Sequence, residues 1–417
     1  MTTTRTEKSN ERDDVPRETS ASTARALLDR VAASPAGKRI LGEAGVSAQS
    51  ADPAADFARL PILPRSDLAR WQQEYPDRAG FATIPLSDFG RLGYHAGGEV
   101  DVAYAGRHGA DVMADLFGRL GVTSSDVVVN TFGYHLATVA HVFDEGLRRL
   151  GACVVPAGPG NSALQLELFS RLRPTVWLGF PTFLWRTLTD AGSKDTSLRL
   201  AIVGGEFAPG VRRELHRQFG IDSRDFYGVS ILGPAAYECA EKEGMHVTER
   251  MLVEIVDRDT RAPVAVGEAG EIVLTPLDHE YVVPRLGTGD LSRWLDEPCR
   301  CGDPSDRIAG VLGRVGEGVK VRGVFVYPRD VRSVRQALPA DVEVALVVSR
   351  ATDGGIRDIL TLRVTPGKGP PPEGFEASVG EVFHDVCHVR LDEVTIVPEL
   401  GTDSVLVDQR EWEVAAP

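Results

Sequence analysis

Four residues of this chain have the types and spacing of a metal shell. Cys239 and His246 stand in "ECAEKEGMH" as C-x6-H, and Cys299 and Cys301 stand in "PCRCG" as C-x-C. Three thiolates and an imidazole complete the tetrahedral shell that zinc takes, and with no position left for water or substrate such a site is structural. The glycine after Cys301 allows a tight knuckle. The competing reading is separate buried or surface cysteines. Two close pairs, drawn from a chain whose only other cysteines are Cys153 and Cys387, favour zinc.

Other candidate groups sit on turns that follow apolar runs. "AIVGGEFAPGVRREL" ends a strand-like run in Gly204-Gly205, then offers Glu206 and Pro209 ahead of a helix. In a parallel sheet, ligands bind beyond the carboxyl ends of the strands. "DFYGVSILG" ends the next strand in the same way and brings Tyr227, an aromatic able to stack on a base, near the Gly204–Glu206 turn. "LGTGDL" carries Asp290, a carboxylate suited to accepting from a ribose diol. "LGYHAGGEVDV" sets two glycines between strand-like runs; it has no GxxxxGK[ST] spacing and no lysine, and read alone it predicts a plain hairpin or bulge.

The elements that must position these groups follow from the pattern along the chain. The 417 residues suffice for two or three domains with real cores. A net charge of −14 argues against nucleic acid or an anionic membrane as the main partner. No apolar run reaches the roughly 18 residues of a membrane span, and the polar start "MTTTRTEKSNERDDVPRETS" reads as a disordered tail without a signal peptide, which predicts a cytoplasmic protein. The odd cysteine count argues against a disulfide framework. "TARALLDRVAASPAGKRILGEAG" reads as helix, break at Pro35, helix. From "DVVVNTFGY" to "SRDFYGVS", strands alternate with helices, which means right-handed βαβ units and a largely parallel sheet. From about Met251 the pattern becomes that of an antiparallel β subdomain, and after a boundary near "LGRVGEG" a small α+β module closes the chain.

The order of these motifs resembles the adenylate-forming (acyl-CoA synthetase) superfamily, nearest to its phenylacetate–CoA ligase branch. The resemblance runs from about Thr23 to Arg410 and rests on "ARLPILPRSDL", "NTFGYHL", "RLGACVVPAG", "FPTFL", "VGGEFAPGVRREL", "DFYGVS", "ECAEKEGMH", "GEAGEIVLT", "TGDL", "PCRCG", "LGRV" and "VRGVFVYPRDV" in combination. It implies a tail over residues 1–22 and an α/β N-terminal domain over 23–314, with parallel sheets, helices and a β subdomain. A small mobile α+β domain over 315–417 follows, hinged after Arg314. It also implies a two-step ligase: a small carboxylic acid, aryl or acyl, attacks ATP to give acyl-AMP, and the thiol of CoA or an acyl carrier protein then takes the acyl group. By the same resemblance Gly205, Glu206, Tyr227 and Gly228 face the nucleotide, Asp290 holds the ribose, and Arg314 and Lys320 act from the hinge and the segment after it. Some relatives carry metal-ligand residues at the positions of Cys239, His246, Cys299 and Cys301, which strengthens the zinc assignment. A homodimer is left open.

Departures from the family pattern fall on the ATP half of the chemistry. Relatives have S-S-G-T-T-G-K-P where this chain has "HAGGEV", about four residues shorter and without hydroxyls or lysine. The glutamate that carries magnesium in relatives is replaced by Ile231, and a hard cation needs oxygen. No lysine follows Lys368, although relatives use one near the C-terminus, and Gly287 stands where an arginine usually precedes T-G-D. ATP and magnesium are therefore implied by the family alone. Besides the ligase, two readings stay open: a homologue that works on a preformed acyl thioester, and an inactive binding partner. In the former, "FGYHLATVAH" would offer His135 as a general base in an acyl pocket walled by Tyr134 and Phe180. The bland reading of His135 is a packed or solvent-facing side chain.

Overall fold

The computed structural model describes residues 19–410, apart from 76–79, 96–97, 103–107, 161, 191–195, 207, 258–259, 279, 315–318, 323, 327, 340, 352–356, 367–370, 373 and 403. The chain divides into two compact units, each made of two segments: Met1–Gly106 with Gly228–Gly310, and Arg107–Tyr227 with Val311–Pro417.

The first unit opens with α1 (Ala21–Ala33) and α2 (Pro35–Ala44). The expected break is a tight junction: the Ser34 hydroxyl accepts from the Gly37 amide and Pro35 takes the first helical position, where it has no amide to lose. Further on, β1 (Leu92–Tyr94) pairs antiparallel with β2 (Val100–Val102), so the "LGYHAGGEVDV" stretch is the hairpin that its spacing predicts. The loop closes with the His95 amide on the Glu99 carbonyl, and Gly98 turns the chain at φ 83°, a conformation that side chains resist.

The second unit carries the strand–helix alternation. It runs α3 (His108–Arg119), β3 (Val127–Asn130), α4 (Val139–Leu150), β4 (Cys153–Pro156), α5 (Ser162–Leu172), β5 (Val176–Gly179), α6 (Pro181–Asp190), β6 (Leu200–Gly204), α7 (Pro209–Phe219) and β7 (Asp222–Val229). The strands lie in the order β4-β3-β5-β6-β7, every neighbouring pair parallel. Helices cover the faces of such a sheet, so its inner strands need apolar residues on both sides, and every residue of "VWLG" in β5 and "LAIVG" in β6 is buried. In α4 the inward residues Ala140, Phe143, Gly146 and Leu147 recur at helical spacing.

Back in the first unit, β8 (Gly233–Glu238), β9 (Met245–Val247), β10 (Met251–Val256), β11 (Gly270–Pro276), β12 (Leu286–Ser292), β13 (Trp294–Leu295) and β14 (Arg307–Ile308) form two antiparallel groups, β10-β11-β12 and β13-β14-β9-β8. The strands from Met251 onward are the antiparallel β subdomain expected there, and β8 and β9 before Met251 extend it.

The last segment begins with the hairpin of β15 (Val319–Val321) and β16 (Val324–Val326), followed by α8 (Pro328–Ala337), β17 (Glu343–Arg350), β18 (Asp358–Thr365), α9 (Phe375–Cys387), β19 (Glu393–Ile396) and β20 (Leu406–Asp408). The sheet order β19-β18-β17-β20 mixes parallel and antiparallel pairs, and residues from Val319 to Leu406 bury a core of their own that includes Val334, Leu346, Leu362 and Phe383.

Candidate active site and metal centre

The carboxyl end of the parallel sheet is lined with aromatic rings. Phe132, just past β3, meets Phe143 of α4 edge-on at 5.3 Å between centroids and Phe180, just past β5, at 5.4 Å. Phe143 meets Phe226 of β7 at 5.4 Å. Gly204, the last residue of β6, lies opposite Phe226 in the ladder; a Cβ there would sit 2.7 Å from the ring, so only glycine lets the strand pass so close.

Asn130 ends β3 fully buried and organises the loop beyond it. Its Oδ1 accepts from the Phe132 amide at 3.1 Å, and its Nδ2 donates to the Ala140 carbonyl and to the Tyr134 hydroxyl, both at 3.0 Å. Burial, then the nearby Asp144 charge, pushes the Tyr134 phenol up to about 12, so it stays protonated. His141 Nε2 lies 3.0 Å from the Tyr134 carbonyl, which can only accept, so Nε2 carries the hydrogen. His135 is exposed, next to Leu136, which holds φ 61° and is 73% exposed. Of the three residues expected in an acyl pocket, Phe180 belongs to the aromatic cluster, Tyr134 is tied to Asn130 on the same loop as Phe132, and His135 faces solvent.

Gly205 is exposed at the end of β6. Glu206 turns its carboxylate onto the start of α6, where Oε2 accepts from the Thr182 hydroxyl at 2.7 Å, a placement the helix dipole favours. Tyr227 is buried within β7 and Gly228 beside it is exposed. Arg314 is half-buried in the two-residue strand Gly313–Arg314, and Lys320 stands in β15 with its side chain outside the described residues.

In the first unit, Asp290 is buried on β12, its amide donating to Thr288 Oγ1 at 3.1 Å. A Cβ on Gly287 would lie 2.8 Å from Glu271 Oε1 and 2.9 Å from Ile62, so the position has no room for a larger residue without rearrangement. The neighbouring Arg285 does not stand in, because its guanidinium is buried on both Glu254 carboxylate oxygens and the Leu60 carbonyl. Ile231 is 1% exposed. In the hairpin, Arg65 faces Glu99 at 3.5 Å, and the buried Asp101 faces His95 at 3.5 Å. The Asp101 carboxylate, against the penalty of burial, holds the His95 imidazole above its usual range.

The four metal-type residues do converge. Their ligand atoms all lie within 4.8 Å of one another, with Cys239 Sγ 3.6 Å from Cys299 Sγ and Cys301 Sγ 3.4 Å from His246 Nε2. Zn–S bonds of about 2.3 Å and Zn–N bonds of about 2.0 Å give tetrahedral edges of about 3.8 Å (S···S) and about 3.5 Å (S···N). These two separations are already close to that. Burial pushes the Cys239 thiol up to about 11; at Cys299 hydrogen bonds from Cys301 and Cys239 and the Arg307 charge outweigh burial and draw the thiol below its ordinary value. The centre joins the end of β8, the middle of β9 and the loop before β14.

Residue types and spacing did not single out Asn130, His141, the His95–Asp101 pair, or the groups behind His246. Asn130 at the end of an apolar strand was the one visible signal, since a buried amide needs partners.

An AMP-binding enzyme family profile matches residues 110–275. The chain is 31% identical over 331 residues to the phenylacetate-coenzyme A ligase of Thermus thermophilus, covering 75% of this chain and 73% of that one. It is 29% identical to the phenylacetate-coenzyme A ligase of Aromatoleum evansii, over 80% and 78% of the two chains. Among solved structures, 2-hydroxyisobutyryl-CoA ligase with 2-HIB-AMP and CoA in the thioesterification state superposes with a TM-score of 0.82 at 22% identity, over 95% of this chain and 91% of that one. At that identity the likeness concerns the fold.

Proposed function

Because the chain belongs to the phenylacetate-coenzyme A ligase branch of the adenylate-forming, AMP-binding enzymes, we propose that it is an acid–thiol ligase acting on an aryl carboxylic acid, forming the acyl-AMP and passing the acyl group to coenzyme A. The observation that carries the aryl preference is the cluster of Phe132, Phe143, Phe180 and Phe226 at the carboxyl end of the parallel sheet, where such sheets bind ligands. Aromatic faces and edges pair favourably with a flat ring. Tyr134, kept protonated and held by Asn130 on the same loop as Phe132, supplies a hydrogen-bond donor. Gly205, Glu206, Tyr227 and Gly228 retain the nucleotide role that the resemblance gives them, Asp290 that of ribose acceptor, and Arg314 and Lys320 the roles at the hinge. The residues beyond Arg314 are read as the small C-terminal domain, and their separate core supports that division.

Magnesium does not fit the position where relatives hold it, since Ile231 offers no oxygen and is buried. Zinc fits the Cys239–His246–Cys299–Cys301 shell by donor chemistry and by the two short edges. All four positions being taken by protein, zinc there supplies a cross-link between strands and loop rather than a reaction step. Free thiols held this close fit a reducing, cytoplasmic setting, and no helix among the described residues is long and apolar enough to cross a membrane.

ATP–pyrophosphate exchange and CoA thioester formation across matched aryl and alkyl acids test the proposal. Exchange and thioester formation with aryl acids support it. Silent exchange together with transfer from an aryl-CoA would overturn it and establish a homologue working on a preformed acyl thioester instead.

A further inference from the structure

A histidine can ligate a metal through Nε2 only if its proton sits on Nδ1, so whatever holds Nδ1 decides whether the ligand is ready. His246 is fully buried on β9, between β8 and β14. Its Nδ1 lies 3.0 Å from Ser305 Oγ, and its Nε2 faces Cys301 Sγ. Behind Ser305 stands Asp303, whose Oδ1 accepts from the Ser305 amide at 2.9 Å and lies 3.9 Å from His246 Nδ1. A hydroxyl oxygen can accept, so Ser305 Oγ takes the hydrogen of His246 Nδ1–H and leaves the Nε2 lone pair for a metal. Asp303 is in turn fixed by the Tyr237 hydroxyl, which donates to Oδ2 at 2.6 Å. Tyr237 is the residue opposite His246 on β8, and its ring stacks on the imidazole at 5.6 Å and 27°. Asp303 serves the shell a second time, because its amide donates to Cys301 Sγ at 3.4 Å.

We propose that Tyr237, Asp303 and Ser305 form a relay that locks His246 in the tautomer and orientation that bind a metal, and that they set the zinc affinity of the centre as positioning residues. This rests on the zinc reading above. A single short loop, "CGDPSD", provides both the last thiolate and the buttress of the imidazole, while β8 provides the ring that stops the imidazole from turning.

The test measures zinc affinity of the full-length chain by competition with a chromophoric chelator, in the parent and in Ser305→Ala, Asp303→Asn, Tyr237→Phe and Ser305→Thr. Loss of an outer partner of a metal-bound histidine typically weakens binding by about 10–100-fold. That range is expected for Ser305→Ala and Asp303→Asn, a smaller loss for Tyr237→Phe, and recovery in Ser305→Thr, which keeps the hydroxyl. Thermal melts separate this from general damage: the zinc-free variants should melt with the zinc-free parent, and differ only when loaded. Equal zinc affinity in all variants overturns the relay while leaving the centre intact, as does a variant that melts early in its zinc-free form and binds zinc normally. A parent that binds no zinc overturns the centre itself, and the relay with it.

Discussion

Replacing Ile231 by glutamate restores the side chain that relatives use for magnesium and asks whether the position is still an ion site or has become core. Ile231 is 1% exposed, with Val229 and Leu232 buried beside it. Removing the isoleucine side chain forfeits about 2 kcal/mol of apolar burial. A carboxyl group placed there must either be buried charged, at a cost of several kcal/mol, or stay protonated. Buried glutamates reach pKa values of about 8–9, against about 4.3 unperturbed. Holding one neutral at pH 7 therefore costs about 4 kcal/mol. The combined destabilisation, about 6 kcal/mol, corresponds to a fall in Tm of about 10–20 °C for a unit of this size. The sign with pH follows from the raised folded-state pKa. The folded variant binds the extra proton, so its deficit relative to the parent should be smallest near pH 4 and grow as pH rises toward about 8. The assay is scanning calorimetry of parent and Ile231→Glu between pH 4.5 and 8, with and without magnesium. A fall of under about 3 °C, or recovery of the loss by millimolar magnesium, would show instead that the side chain reaches solvent or an ion.

Three further outcomes follow from the same geometry. Burial works against Asp126, yet Arg199 at 2.5 Å, Thr175 and Thr123 hold its carboxyl down at about 2. Its stabilisation, about 2 kcal/mol, is present above the unfolded value near 4 and is lost as pH falls from there toward 2; urea titrations at pH 5 and pH 3 should show the loss in the parent, and Asp126→Asn should flatten it. Stripping metal with a chelator should lower the Tm by at least about 10 °C, since a structural zinc shell contributes folding free energy directly; identical melts before and after would count against the centre. Asn130→Ala leaves the Phe132 amide and the Ala140 carbonyl without their partner and frees Tyr134, so a loss of about 1–3 kcal/mol in stability should accompany a raised KM for the aryl acid, read by chemical denaturation and steady-state kinetics.

Much of the architecture was legible because its causes are local. Buried runs such as "LAIVG" and the amphipathic spacing of "VAHVFDEGLRRL" announce a covered parallel sheet and its helices. Ser34-Pro35 marks a helix junction by its own chemistry, and Gly98 a hairpin turn by its φ. The metal quartet was legible by residue type alone, although Cys239 and Cys299 are sixty positions apart. His135 shows the opposite case: its type suggested a base, and the fold leaves it exposed to solvent. Glu206 likewise carried a nucleotide expectation, and the fold also employs it at the start of α6.

Residue types set the kinds of groups available: a three-thiol, one-imidazole set, an isoleucine where an ion ligand would stand, and no lysine after Lys368. Composition cannot be altered by folding, so these limits hold in any conformation. Which of these groups work together depends on how the chain packs. The ladder register sets Tyr237 against His246, strand ends gather four phenylalanines, and a buried Asn130 fixes Tyr134. Hydrogen bonds and ring contacts act over a few ångströms, a scale that spacing along the chain does not report and only the packing of strands, helices and loops sets.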